Sequence, residues 1–208
     1  MAWSETSQIH SANMLTKQEH LKIRAVDVLT ERIERRITPV GSLLPDADVT
    51  TFEGKTTSIH DYCQDKPLLL VFLRASWWPY CRANVTMLNG MASTFRKLGC
   101  NIVAVTRETV EECTFERNEG VTLVTDPTNA FGHKLNLAYK ATEEMEKIYK
   151  ELGIEDPITD YFDTSELDVP MTLIVDQRRI LYKFAKRDYT IRAPGSEIIT
   201  ELKRINNA

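Results

Sequence analysis

Most of the side chains that could carry chemistry fall in one stretch, Arg74-Ala75-Ser76-Trp77-Trp78-Pro79-Tyr80-Cys81-Arg82. Cys81 offers sulfur, which attacks as the thiolate and needs a depressed pKa and access to its target. Arg74 and Arg82 bring fixed positive charge, and Tyr80 a phenol that can donate or accept a proton. Trp77, Trp78 and Tyr80 can wall an organic ligand or pack together as core. Thr106-Arg107-Glu108 is a second such place. Its carboxylate can move a proton or simply pair with an arginine. The other cysteines, Cys63, Cys100 and Cys113, form no Cys-x-x-Cys with each other or with Cys81. His10, His20, His60 and His133 show no metal-ligand spacing, so no metal is expected. No glycine-rich phosphate loop, Ser-His-Asp order or paired-carboxylate motif stands out, and no cofactor is expected.

The elements that must position these residues follow from periodicity. Leu68–Leu73 is an unbroken apolar run, which suits a strand buried on both faces. Pro79 sits where a helix can begin. Ala83, Met87, Met91, Phe95 and Leu98 then repeat at spacings of four and three, predicting a helix over Pro79–Leu98. The motif therefore lies between the end of a buried strand and a helix N-terminus, where unpaired N–H groups and the helix dipole favour an anion. Ile102–Val105 and Val121–Val124 read as further strands, with a polar helix over Thr109–Asn118 between them. Asn129–Leu135 and Thr142–Leu152 read as helices, Gly153–Val169 as a loop, Met171–Val175 and Ile180–Phe184 as a hairpin, and Ser196–Ile205 as a closing helix. Short strands are expected around Asp48–Phe52 and Thr56–Ser58, with a helical turn at His60–Cys63. An amphipathic helix over Thr16–Arg36 precedes them all. This alternation describes an α/β domain with a central sheet.

Composition narrows the class. Of 208 residues, 42% are hydrophobic and 27% charged, which is ordinary for a folded globular chain. Lys+Arg total 26 against Asp+Glu 30, a net charge of -4, so a basic nucleic-acid stripe is not expected. The longest apolar run falls far short of the ~20 residues that span a bilayer. The start, MAWSETSQIH, lacks the basic-then-apolar pattern of a leader. Reduced thiols in a cytoplasmic setting are the corresponding expectation.

Residues 74–81 resemble the Arg-Gly-Gly-Trp-Cys-Pro-Tyr-Cys motif of the peroxiredoxin-like branch of the alkyl hydroperoxide reductase and thiol-specific antioxidant family. Gly41-Ser42-Leu43-Leu44-Pro45-Asp46-Ala47 is similar to that family's Gly-x-x-Ala-Pro-Asp-Phe entry. Glu151-Leu152-Gly153-Ile154 resembles a helix end of the branch. Val169-Pro170-Met171-Thr172-Leu173-Ile174-Val175-Asp176 resembles its Pro-x-Thr-Phe-Val-Ile-Asp strand, and Asp188-Tyr189-Thr190-Ile191-Arg192 its Asp-Tyr-Thr-x-Arg segment. The resemblance implies a thioredoxin-like fold, a central mixed sheet flanked by helices, over residues 39–208, with a helical extension over residues 1–38. It also implies a cis-proline at Pro170 facing the motif, thiol-dependent reduction of peroxide or disulfide, a thiol reductant as partner, and a homodimer.

One position departs. The family's attacking cysteine falls on Trp78, leaving Trp78-Pro79-Tyr80-Cys81, and indole is no nucleophile. Cys81 matches the second cysteine, a helical turn deeper, and reads either as a buried inert thiol or as a residual nucleophile. Three functions stay open. One is a repurposed enzyme acting on a small organic molecule by acid–base or electrostatic chemistry. Another is a one-cysteine oxidoreductase, and the last a non-catalytic binding protein. The catalytic candidates are Cys81, Arg74, Tyr80 and Glu108, and the ligand-binding candidates Trp77, Trp78, Arg107, Pro170, Tyr189 and Arg192.

Overall fold

The five residues of Leu68–Phe72 (β3) are all buried, as an unbroken apolar run requires of a strand covered on both faces. The computed structural model that shows this describes residues 35–117, 120–140, 142–151, 166–186 and 188–207. Its other strands are Asp48–Thr51 (β1), Thr56–Ser58 (β2), Asn101–Thr106 (β4), Thr122–Thr125 (β5), Ala138–Lys140 (β6), Glu166–Asp168 (β7), Met171–Asp176 (β8) and Arg179–Ala185 (β9). The helices are Pro79–Lys97 (α1), Ala130–Lys134 (α2), Glu143–Glu151 (α3) and Gly195–Asn206 (α4). A 3-10 turn spans Ile59–Cys63.

Seven strands form one sheet in the order β2-β1-β5-β4-β3-β8-β9. β3, β4 and β5 run parallel, while β8, β9, β1 and β2 are antiparallel to their neighbours, so the sheet is mixed. The β8–β9 hairpin closes on Gln177 and Arg178, both at positive φ (46° and 63°), the handedness a two-residue turn needs to match the strands' twist. β6 and β7 lie outside this sheet and were not anticipated. The chain divides into two compact units, Arg32–Tyr139 with Asp168–Ala208, and Met1–Glu31 with Lys140–Leu167. The sheet and the motif belong to the first. In the second, α3 buries Ile148.

The helix over Pro79–Leu98 is present as α1, but its buried face is not the anticipated one. Cys81, Asn84, Val85, Leu88, Ala92 and Phe95 are buried, whereas Ala83 is exposed and Met87 and Met91 are half-buried. Both stripes have helical spacing, so periodicity alone did not set the phase. Met91 Sδ instead occupies the place where a Cβ on Gly195 would sit, at the start of α4. Described residues 109–117 are not helical. Thr109 and Glu112 satisfy each other's N–H groups with their side chains, and Cys113 N–H closes a single turn on the Thr109 carbonyl. The next N–H, of Thr114, is captured by Ser76 Oγ at 2.9 Å, so the chain leaves the helical path for the motif loop. The Val169–Pro170 bond is trans, since no cis peptide occurs among the described residues. A trans X-Pro bond is favoured by about 0.5–1 kcal/mol, and nothing here reverses that preference. The helix anticipated over Thr16–Arg36 lies outside the described residues except for Arg35 and Arg36, which are helical. No described helix is long and apolar enough to cross a membrane.

Candidate active site

α1 opens at Pro79, whose missing N–H would in any case have had no helical partner. Trp78 is the N-cap residue, and its carbonyl accepts from the N–H groups of Cys81 (2.9 Å) and Arg82 (3.0 Å). Its indole is only 4% exposed. Trp77 meets it edge-on (centroids 5.2 Å apart, 84° between planes), and Tyr189 and Tyr80 lie at 5.8 and 6.4 Å. The Arg74 guanidinium faces this cluster, 4.7 Å from the Tyr189 ring centre and 5.6 Å from that of Trp78. Cation–π contact of this kind contributes about 0.5–2 kcal/mol.

Two residues absent from the sequence candidates hold Arg74. Its Nε donates to the Asp168 carbonyl at 3.1 Å and its Nη2 to the Tyr139 hydroxyl at 2.6 Å. The Asp168 carboxylate accepts in turn from Asn129 Nδ2 at 2.8 Å. Burial pushes the Asp168 carboxyl up, while Arg107, Asn129 and Arg74 pull it back. Arg107 is itself buried and acts on Asp126 as well as Asp168. Asp126 caps α2 by accepting from the N–H groups of Ala130, Phe131 and Gly132. Asp168 had a weak sequence signal, a carboxylate just ahead of an apolar strand. Asn129 and Tyr139 had none.

Cys81 is fully buried beneath this cluster. Its sulfur accepts from the Arg74 backbone N–H at 3.3 Å and lies 3.6 Å from Arg192 Nη2. Arg192 Nη1 donates to the carbonyls of Tyr189 and Ile191. Burial holds the Arg192 guanidinium below its ordinary value, and Cys81 opposes that shift. Arg74, Trp77, Trp78, Tyr80, Cys81, Tyr189 and Arg192 thus come together in one place.

Glu108 belongs to an adjoining polar stitch. One carboxylate oxygen accepts from the Ser76 hydroxyl (2.6 Å), the other from the Ser76 N–H (2.6 Å) and the Thr106 hydroxyl (2.9 Å). The Thr125 hydroxyl donates to the Glu108 carbonyl. The Thr114 hydroxyl donates to Ser76 Oγ at 3.0 Å. Glu108 therefore ties the loop after β3 to the loop after β4. Pro170 is buried just before β8, two residues beyond Asp168.

A model of the AhpC/TSA family matches residues 40–184. The chain belongs to the AhpC/TSA family. Among solved structures, it is similar to peroxidoxin BcpB from Mycobacterium tuberculosis, at 13% identity over 80% of this chain and 97% of that one, TM-score 0.59. Peroxiredoxin 5 from Alvinella pompejana matches at 15% identity over 80% and 99%, TM-score 0.60. A putative thioredoxin reductase from Burkholderia cenocepacia matches at 18% over 79% and 97%, TM-score 0.59. At these identities the likeness is one of fold. No curated protein matches.

The thiols of this AhpC/TSA chain are all free. Burial pushes Cys100 up to about 12 and Cys113 up to about 11, and raises Cys63 as well. A thiol so shifted is protonated at neutral pH and a poor nucleophile. Among the described residues no group of three His, Cys, Asp or Glu side chains could hold a metal ion. The groups placed for other chemistry are a phenol that is 37% exposed (Tyr80), two arginines at the ring cluster and a helix N-terminus.

Proposed function

We propose that this AhpC/TSA protein is not an ordinary thiol peroxidase but a repurposed enzyme that holds a small organic molecule against the Trp77–Trp78–Tyr80–Tyr189 cluster. The observation carrying this reading is Trp78. Trp78, which caps α1 through its main chain, sets a near-buried indole where the family resemblance places the attacking sulfur. The sulfur that remains, Cys81, lies fully buried behind it. In this reading Tyr80 transfers the proton, being the exposed phenol of the cluster. Arg74 and Arg192 stabilise developing negative charge, and preorganised donors in a water-poor site are the largest catalytic term available without a nucleophile. Glu108, with both oxygens bonded inside the protein, holds the loop rather than the substrate.

A second reading, a one-cysteine oxidoreductase recycled by an external thiol, is favoured by the two donors near Cys81 Sγ. One assay separates them. Peroxide consumption is measured with thioredoxin or glutathione for wild type and Cys81→Ser. We expect equal, background rates. A wild-type rate well above that of Cys81→Ser would sink the first reading and establish the second. A thermal-shift screen of organic compounds follows. A compound that binds with its shift lost in Trp78→Ala, and is then converted, supports the enzyme. Binding without turnover reduces it to a binding protein on the same fold.

A further inference from the structure

We infer that Met87 and Met91 form an oxidation site. A peroxide converts their thioethers to sulfoxides, and the added oxygen displaces the start of α4 and loosens the Tyr189–Arg192 segment attached to it. The first support is where the two sulfurs lie. Met87 and Met91 stand one turn apart on α1, and both are half-buried. A Cβ on Gly195, the first residue of α4, would fall 2.2 Å from Met91 Sδ and 3.2 Å from Met87 Sδ. Glycine leaves the gap that the two thioethers fill. A sulfoxide is larger and polar, and a contact this close takes it only by moving.

The other sulfurs support the same assignment. Among the described side chains that carry sulfur, Met87, Met91 and Cys113 are the ones left partly exposed. The Cys113 thiol is pushed up to about 11 and is protonated at neutral pH. A thioether needs no deprotonation to react. Its sulfur lone pair attacks the outer oxygen of a hydroperoxide, the O–O bond breaks and an S–O bond forms. The transferred oxygen passes its proton to the departing alkoxide, which leaves as an alcohol. Sulfur gives up two electrons and the peroxide takes them.

The neighbours of Gly195 set the consequence. Ala193 and Pro194 alone separate it from Arg192, whose Nη2 lies 3.6 Å from Cys81 Sγ and whose Nη1 holds the Tyr189 carbonyl. The Tyr189 ring packs 5.8 Å from that of Trp78. The far end of α4 is anchored separately. Leu202 is buried there, and Asn206 Nδ2 donates to the Leu98 carbonyl at 2.8 Å. A push at Gly195 therefore swings the near end of α4 and the segment joined to it.

Peptide mapping and hydrogen exchange, both read by mass spectrometry, test this on the full chain after limited treatment with hydrogen peroxide. Met87 and Met91 should become sulfoxides while Met171, 2% exposed, stays reduced. The amides of Ile191, Glu197 and Ile198, bonded to the Asp188 and Pro194 carbonyls, should then exchange about tenfold faster, and those in the last turn of α4 should keep their rate. Dithiothreitol, which leaves sulfoxides untouched, should not restore slow exchange, whereas methionine sulfoxide reductase should. Met87→Leu combined with Met91→Leu keeps the apolar volume and removes both sulfurs, so peroxide should leave its exchange unchanged. Equal oxidation of Met171 would overturn the site. Sulfoxides at both methionines with unchanged exchange would overturn the effect on α4. Faster exchange that dithiothreitol reverses, or that persists in the double variant, would place the change on another group and overturn the proposal. Reversal by the reductase decides the matter on wild type even if the double variant fails to fold.

Discussion

Trp78 packs against three rings and a guanidinium while its backbone starts a nineteen-residue helix, so its side chain and its main chain do separate jobs. Trp78→Cys separates them. The main chain keeps the cap, and the new sulfur meets the positive end of α1, where a thiol is acidified. We expect one additional thiol reactive toward Ellman's reagent at neutral pH and measurable peroxide consumption. We also expect a loss of about 3 kcal/mol in stability from the deleted ring contacts, read by urea denaturation. No gain in reactive thiol would show that position 78 is not where a nucleophile works in this fold. Cys113 gives the opposite case. With its thiol pushed up to about 11, the thiolate fraction rises about tenfold per pH unit below that value. Alkylation of Cys113 by iodoacetamide should therefore be slow at pH 8 and climb steeply toward pH 10. Cys113→Ser should remove that signal, and a flat profile would contradict the raised thiol pKa.

α2 works as a bracket for the arginines. Asp126 fixes its N-terminus, Asn129 sits at a left-handed φ of 55°, and the Asn129 amide reaches Asp168, whose carbonyl holds Arg74. A Cβ on Gly132 would fall 2.0 Å from Asn129 Oδ1. Gly132→Ala must therefore move that amide, and we expect a loss of about 1–3 kcal/mol by urea denaturation. At Gly54 an added Cβ meets nothing within 4 Å, and only the positive φ of 79° is strained. Gly54→Ala should cost about 1 kcal/mol. The raised Asp168 carboxyl gives a pH dependence. Its folded pKa exceeds the unfolded one, so it favours the folded state at low pH, and that contribution is lost as pH rises through the folded pKa. Wild-type stability should carry this downward component above pH 4, and Asp168→Asn should remove it. Identical slopes for the two proteins would refute the shift.

At this scale the limits of the sequence are also visible. β3 is legible as an unbroken apolar run, and α1 because its apolar residues repeat at helical spacing along the whole element. The buried face of α1 was not, because two stripes of similar apolarity competed and α4 settled the matter. The segment after β4 was misread as helix because its path depends on Ser76, 38 residues away, and Tyr139 and Asn129 entered the site through similarly distant bonds.

For the whole molecule, the sheet order and the family match describe one scaffold, and its stability rests on the sheet core rather than on covalent links. All four cysteines are free, so no loop is closed in the unfolded chain. A reductant such as dithiothreitol should leave the melting temperature unchanged within about 1 °C, whereas losing a disulfide would cost about 2–4 kcal/mol and several degrees. The net charge of -4 sits beside a local concentration of arginines at the start of α1, so the average charge of the chain says little about what this region attracts. The packing around Trp78 has a further consequence, for how this protein can change over generations. Tryptophan and cysteine codons differ by a single base, so the thiol is genetically one step away. Physically it is several steps away, because Trp77, Tyr80, Tyr189 and Arg74 are all fitted to the indole. A lone Trp78→Cys change would carry the cost of an unfilled core before its neighbours could adjust. The site is open to refinement around the tryptophan, while its exchange for a small residue calls for several neighbours to change together.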